Sequence, residues 1–346
     1  MILRPRVLFI VNAGPSVGGG HVMRSLSLAR ALEQHGADCV FLAPPEAAAI
    51  LDVFAPDMAR EDTDTIDANS VLGVAMGVRF DAVVFDHYGL GRAEQEAVAQ
   101  GRPTLVIDDL ADRPLFADLV LDPGPARTPA DYAPFAPSAR LLLGPAYAPV
   151  RPEFAALREQ ALARRGGPVG RVLVALGLTD VGGITARVVD RLRQRNGQLA
   201  FDVALGSAAP SLPGLKRIAA HDPRVTLHID AQDMADLTLN ADVAVGAGGG
   251  ATWERCVLGL PSLVVVLAPN QRPAAQALLE RDAVLVMDGE AADFDAAFDR
   301  AAMRLLTDAA TRARLTAASL EICDGLGADR VAQAFLEVIG APGETA

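Results

Sequence analysis

A chain of 346 residues has room for two domains of a typical ~150 residues each, and 51% apolar against 21% charged residues excludes a disordered chain. The net charge of −12 divides into 11 basic and 19 acidic residues in 1–150, and 20 and 24 in 151–346. Neither half offers the positive field that a nucleic-acid backbone or an anionic membrane surface requires, so neither is expected as a partner.

The first apolar stretch, 7–11, follows Arg4 and Arg6. It is too short for a signal-peptide core and lacks a cleavage pattern, so it reads as a buried strand. It runs into Asn12-Ala13-Gly14-Pro15-Ser16-Val17-Gly18-Gly19-Gly20-His21 and then a helix, with Val22, Leu26, Ala29 and Leu32 at helical spacing. Gly18, Gly19 and Gly20 before a helix let backbone N–H groups approach an anionic ligand. His21 at the helix start should stay neutral and able to accept a proton, because the positive end of the helix disfavours imidazolium; the alternative is a capping or packing histidine. The second strand, 39–42, ends in Ala43-Pro44-Pro45-Glu46 without the acidic residue a dinucleotide site wants, so NAD is not expected.

Further strands fall at 82–85, 104–107 and 119–121. His87 and Tyr88 follow the first of these, where both could face the cleft, Tyr88 as a hydrogen-bond donor, although taken alone each reads more simply as structural. Asp108 and Asp109 follow the second; on a continuing strand their side chains point to opposite faces and cannot share one reacting atom. From Asp122 to about Gly170, Pro123, Pro125, Pro129, Pro134, Pro137, Pro145, Pro149 and Pro152 disfavour regular structure, apart from a helical stretch at 154–164. A second series begins at 171, with strands at 171–176, 201–205, 225–229, 243–245, 262–267 and 283–287. Strands that are apolar on both faces and separated by helices define an α/β class: two Rossmann-like, doubly wound parallel-sheet domains, 1–150 and 151–346, with a cleft between them.

In the second domain Gly246-Ala247-Gly248-Gly249-Gly250-Ala251-Thr252-Trp253-Glu254 follows a strand and opens a helix. Gly248, Gly249, Gly250 and Ala251 suit a diphosphate, Thr252 can add a hydroxyl, and Glu254 can take paired ribose hydroxyls. Alternatively, Glu254 complements the helix dipole and the glycines serve packing. Asn270 and Gln271 form a polar pair after the next strand, and Thr179 and Asp180 lie in a third such loop. Cys39, Cys256 and Cys323 are far apart and form no CxxC, which fits reduced thiols in a cytoplasmic protein. No metal constellation appears, Asp62-Thr63-Asp64 reading as a solvated loop, and no cofactor is expected. No apolar run reaches the ~18–20 residues of a membrane span.

Gly18-Gly19-Gly20-His21-Val22-Met23-Arg24 resembles the GxGHxxR motif of the UDP-2,4-diacetamido-2,4,6-trideoxy-β-L-altropyranose hydrolases of pseudaminic acid biosynthesis. The resemblance continues in order through Asp86-His87-Tyr88-Gly89-Leu90, 107–113, 143–147, 251–256, Pro269-Asn270-Gln271 and 324–328. It implies a GT-B-like fold, with UDP on the C-terminal domain at Glu254 and the 248–252 loop. The sugar would then lie beneath His21, Tyr88 and Asn270, with Arg24 and Gln271 among the binding residues. It also implies inverting C–O cleavage by water. One departure is Leu178, where the family pattern carries a second glycine.

The chemistry matches. UDP is a good leaving group, so one base, His21, and backbone donors suffice for hydrolysis without a metal. Two rival readings are a GT-B glycosyltransferase using a UDP-N-acetylhexosamine-type donor and a non-catalytic sugar-nucleotide-binding protein. The acidic N-terminal half favours an enzyme acting on water over a membrane-associated transferase.

Overall fold

The computed structural model describes residues 4–14, 18–65, 67, 71, 73, 77–195 and 198–340. The chain divides into two compact units, Met1–Val150 with Leu326–Ala346, and Arg151–Gly325. Elements of the first unit, in chain order, are β1 (Arg6–Val11), α1 (Gly20–Gln34), β2 (Asp38–Ala43), α2 (Pro45–Phe54), β3 (Ala59–Asp62), β4 (Ala82–Asp86), α3 (Arg92–Ala99), β5 (Thr104–Ile107), β6 (Leu119–Asp122), α4 (Pro129–Tyr132) and β7 (Arg140–Leu143). The second unit carries α5 (Pro152–Ala156), α6 (Arg158–Arg164), β8 (Arg171–Ala175), α7 (Ile184–Arg193), β9 (Ala200–Leu205), α8 (Leu212–His221), β10 (Val225–Ile229), α9 (Met234–Asn240), β11 (Val243–Ala247), α10 (Ala251–Val257), β12 (Ser262–Val266), α11 (Arg272–Glu280), β13 (Leu285–Asp288), α12 (Phe294–Thr307) and α13 (Ala309–Ile322). The last helix, α14 (Gly327–Gly340), returns to the first unit.

Both sheets are parallel throughout, ordered β3-β2-β1-β4-β5-β6-β7 and β10-β9-β8-β11-β12-β13. Each central strand buries alternate residues in opposite cores. Val7, Phe9 and Val11 of β1 join the core beneath α1, while Leu8 and Ile10 join Val83, Phe85 and Tyr132 on the other face. In the second sheet Val172 and Val174 of β8 face one core and Leu173 the other. The doubly wound α/β class expected from two-faced apolar strands is the fold found.

Three features depart from expectation. The exposed edge strand β3 has the sequence ARED, so no apolar run announces it. The proline-rich stretch is not devoid of regular structure: β7 pairs with β6 at the sheet edge, and Pro129, Pro145 and Pro152 occupy first-turn positions of short helices, where a missing N–H costs nothing. The assignment of 326–346 to the second domain is corrected. Val331, Ala332 and Phe335 of α14 are fully buried in the core that holds Val22, Leu28 and Leu32 of α1, each large side chain contributing about 1.5–3 kcal/mol by its burial. Gly327 makes that docking possible, since a Cβ there would lie 2.2 Å from the Ala148 carbonyl oxygen.

Candidate active site

Strand order reverses between β1 and β4 in the first sheet and between β8 and β11 in the second. Loops beyond the carboxyl ends of such neighbouring strands leave in opposite directions, which is where open α/β sheets bind ligands. His21 and Tyr88 follow β1 and β4; Thr179 and Asp180 follow β8; Gly248, Gly249 and Gly250 follow β11; Asn270 and Gln271 follow β12.

In the first unit the site is built around a residue that the sequence reading gave no role. Asp86 ends β4, in register with Val11 of β1, and is fully buried. His21, Arg24 and Ser25 lie at i, i+3 and i+4 on α1, hence on one face, and all three donate to it. His21 Nδ1 reaches Asp86 Oδ1 at 2.5 Å, Arg24 Nη2 reaches Oδ1 at 2.6 Å and Nε reaches Oδ2 at 2.8 Å, and Ser25 Oγ donates to Oδ2 at 2.9 Å. Burial alone would raise the Asp86 carboxyl, but Arg24 and then His21 outweigh it and hold the group well below the usual carboxylate range. An ionised carboxylate only accepts, so Nδ1 carries a proton, and the lone pair of the uncharged tautomer this selects lies on Nε2. Arg24 Nη2 also lies 3.2 Å from Nδ1, but as two donors sharing one acceptor. The Tyr88 ring stands edge-on to the imidazole, centroids 4.7 Å apart at 85°.

Asp109 closes the arrangement, accepting from Tyr88 OH at 2.6 Å and from Arg24 Nη1 at 3.1 Å. Burial lifts the Tyr88 phenol well above its ordinary value; Arg24 pulls against this and Asp109 adds to it, so the hydroxyl stays protonated. Asp108 serves a separate network with Arg113 and Tyr132, as alternation along the chain requires. His87 accepts from the Gly89 N–H through Nδ1, and burial holds it down to about 4, so it is neutral near pH 7. Arg24, expected to bind substrate, donates to both Asp86 and Asp109. Gly18, Gly19 and Gly20 lead into α1, while Pro15, Ser16 and Val17 of the same loop lie outside the described residues.

In the second unit several side chains expected at a ligand also bond within the chain. Asp180 is buried and accepts from the Thr185 N–H and hydroxyl and from the Ser211 N–H, so it fastens its loop. The Thr252 hydroxyl donates to the Ala247 carbonyl at 3.2 Å and accepts from Arg255 Nη2 at 3.0 Å. Gln271 Oε1 accepts from the Gly248 and Leu267 N–H groups, tying the β11 and β12 loops together. Glu254 Oε1 accepts from Arg151 Nε at 2.8 Å; burial lowers the Arg151 pKa, but Glu254 outweighs it and the net shift is upward. Arg151 was not anticipated. Gly249 and Gly250 have open space where a side chain would stand. Thr179 lies in the turn after β8, whose Leu178 carbonyl accepts the Gly206 N–H at 3.0 Å. Among the described residues no cluster of three His, Cys, Asp or Glu side chains could hold a metal, and no helix is long and apolar enough to cross a membrane.

The fold these units share is that of the GT-B glycosyltransferases. MurG of Acinetobacter baumannii superimposes with a TM-score of 0.67 at 16% identity, over 96% of this chain and 99% of that one. The S. aureus MnaA–UDP co-structure gives 0.64 at 16% identity, over 99% and 100%. Among curated proteins, MJ1062 of Methanocaldococcus jannaschii, described as uncharacterized, is 22% identical over 275 residues, 77% of this chain and 56% of its own length. The spore coat polysaccharide biosynthesis protein SpsG of Bacillus subtilis is 29% identical over 150 residues, 42% of this chain and 43% of SpsG. The chain thus spans about half the length of these two relatives. UDP-2,4-diacetamido-2,4,6-trideoxy-beta-L-altropyranose hydrolase of Campylobacter jejuni is 21% identical over 279 residues, 80% of this chain and 97% of that protein. This last relative bears the name of the family that the motifs resemble and supports that resemblance. No family model matches the chain.

Proposed function

We propose that this protein is a sugar-nucleotide hydrolase that releases UDP from a UDP-linked 2,4-diacetamido-2,4,6-trideoxy hexose by attack of water at the anomeric carbon. The observation that carries the reading is the His21–Asp86 pair, which fixes one imidazole nitrogen as donor and leaves Nε2 to take a proton. In this reaction Nε2 removes a proton from water as its oxygen bonds to C1, and the C1–O bond to UDP breaks with inversion. The ionised Asp86 stabilises the imidazolium that forms. Tyr88, protonated and held by Asp109, keeps a hydroxyl oxygen able to accept from the sugar, and Asn270 is a further sugar contact. The second unit supplies the nucleotide contacts, with Gly248, Gly249, Gly250 and Ala251 at the diphosphate and Glu254 at the ribose. UDP leaves readily, so the mechanism calls for no metal and no covalent sugar–enzyme adduct.

His21→Phe is expected to abolish turnover while UDP still binds; a variant with near-normal rate removes His21 from the base role. The likeness to MurG favours a second reading, a glycosyltransferase. UDP release from the sugar nucleotide without any acceptor, followed by NMR of the free sugar, supports hydrolysis; release that depends on an added acceptor supports transfer. Tight binding with no product over long incubation returns the protein to a non-catalytic binder.

A further inference from the structure

One buried charge in the second unit has no counterpart. Arg255, on α10, is 3% exposed, and its side chain turns back along the helix to lie under the loop that leaves β11. Its Nη2 donates to the Ala247 carbonyl at 2.9 Å and to Thr252 Oγ1 at 3.0 Å, flanking Gly248, Gly249 and Gly250 on both sides. Gly246 accommodates the guanidinium: a Cβ there would lie 2.5 Å from Nη1. Nε is buried without any hydrogen-bond partner, and among the described residues no carboxylate oxygen lies within the 4.0 Å of an ion pair.

Four half-buried arginines, by contrast, are matched. Arg24 faces Asp86 and Asp109, and Arg151 faces Glu254. Arg158 reaches three carbonyls with two nitrogens, and Arg165 sets each of its three nitrogens on a carbonyl near the end of α9 or α10. Burial pulls the Arg255 pKa down to about 10, with Cys256 and Glu254 offsetting it only in part. Leaving such a group unpaired is costly unless something anionic completes it.

We infer that Arg255 is the positioning residue that makes this loop select a phosphorylated ligand, a nucleoside diphosphate over the bare nucleoside. It places a fixed positive charge beneath the glycines and holds the Ala247 carbonyl and Thr252 hydroxyl in place. The inference rests on the nucleotide reading of the second unit and gives the phosphate preference a source in one side chain.

Trp253, the chain's single tryptophan, adjoins the loop, so its fluorescence reports binding of UDP and of uridine separately. In the unaltered protein UDP should bind far more tightly than uridine. Arg255→Met should cut that preference about tenfold or more, the usual loss for a hydrogen bond to a charged group, and leave uridine affinity within about twofold. A merely structural role would weaken both ligands together. Arg255→Lys keeps the charge in a group that burial titrates more easily, so its preference for UDP should fall as pH rises from about 7.5 to 9, where the unaltered protein stays level. Loss of affinity for both ligands in equal measure, an unchanged preference in the Met variant, or a Lys variant flat with pH overturns the inference. An unaltered protein that binds UDP no better than uridine overturns the nucleotide reading itself, and this inference with it.

Discussion

Asp86→Asn tests the catalytic arrangement at its centre. The carboxylate takes four donor contacts on two oxygens, from His21, Ser25 and the Nε and Nη2 atoms of Arg24. An asparagine fills the same space with one acceptor oxygen, and Arg24 faces both of its positions. With the amide oxygen toward His21, the NH2 meets Arg24 Nε head-on. With the NH2 toward His21, Nδ1 must accept, the ring proton moves to Nε2, and the base is lost. Neither seating restores the charge that stabilises an imidazolium. Breaking one side of a buried ion pair costs about 3–5 kcal/mol, and the lower end is expected because Asp109 still pairs with Arg24. The corresponding substitution in a Ser-His-Asp triad lowers kcat about 10⁴-fold with geometry intact, and a drop of that order is expected here. UDP binding, assigned to the other unit, should be little changed. The assay is continuous UDP release with circular dichroism as a check on folding. A folded Asp86→Asn protein within about tenfold of the normal rate would refute the claim that Asp86 sets the tautomer of His21.

Two further predictions concern stability. Burial raises the Asp122 carboxyl to about 6, against the Gly124 N–H and the Tyr132 hydroxyl, with Asp109 and Asp108 adding to the rise and Arg127 3.9 Å away. A raised folded pKa means that stability falls as pH rises from about 4 to 6, by about 3 kcal/mol, and Asp122→Asn should flatten that stretch of a urea-denaturation pH series; an unchanged slope counts against a protonated Asp122. Gly327→Ala must push a Cβ away from the Ala148 backbone and should cost at least about 1–3 kcal/mol, read as a lower thermal midpoint; a midpoint equal to the parent's shows that α14 docks with slack.

The glycine loop and His21 were legible because everything that marks them is contiguous: an apolar strand, three glycines and a helix that opens on a histidine. Asp86 was not, because its partner His21 lies 65 residues away and an aspartate after an apolar strand has many uses. A signal was nevertheless present on α1. His21 and Ser25 are polar residues on a face that a helix covering a parallel sheet should keep apolar, and such a face needs a buried polar partner. The terminal helix was assigned to the wrong unit because amphipathic spacing states that a face is buried but not against which sheet. The constraint that decides it, a backbone approach too close for any side chain at Gly327, has no sequence pattern of its own. Thr252, Gln271 and Asp180 were read as ligand contacts from residue type and loop position; the structure shows that the same hydroxyl, amide and carboxylate first satisfy the backbone groups that a glycine-rich loop leaves open.

The two units handle buried charge in opposite ways, and the proposed chemistry explains why. Around His21 every cation has a carboxylate: Arg24 is held by Asp86 and Asp109, and Asp86 is in turn saturated by donors. A base must gain a proton during the reaction and lose it afterwards, so its surroundings have to favour the charged ring without an uncompensated charge competing for the substrate. Beneath the 248–250 loop the balance is left open, with Arg255 charged, buried and without a carboxylate. In the proposed hydrolysis an incoming diphosphate would gain from that imbalance, and the gain would grow as negative charge collects on the departing UDP when the bond to the sugar breaks. In the proposed reaction an unpaired guanidinium in that place would therefore stabilise the transition state more than the bound ground state, a contribution to rate that neither a neutral residue nor a pre-paired arginine would supply.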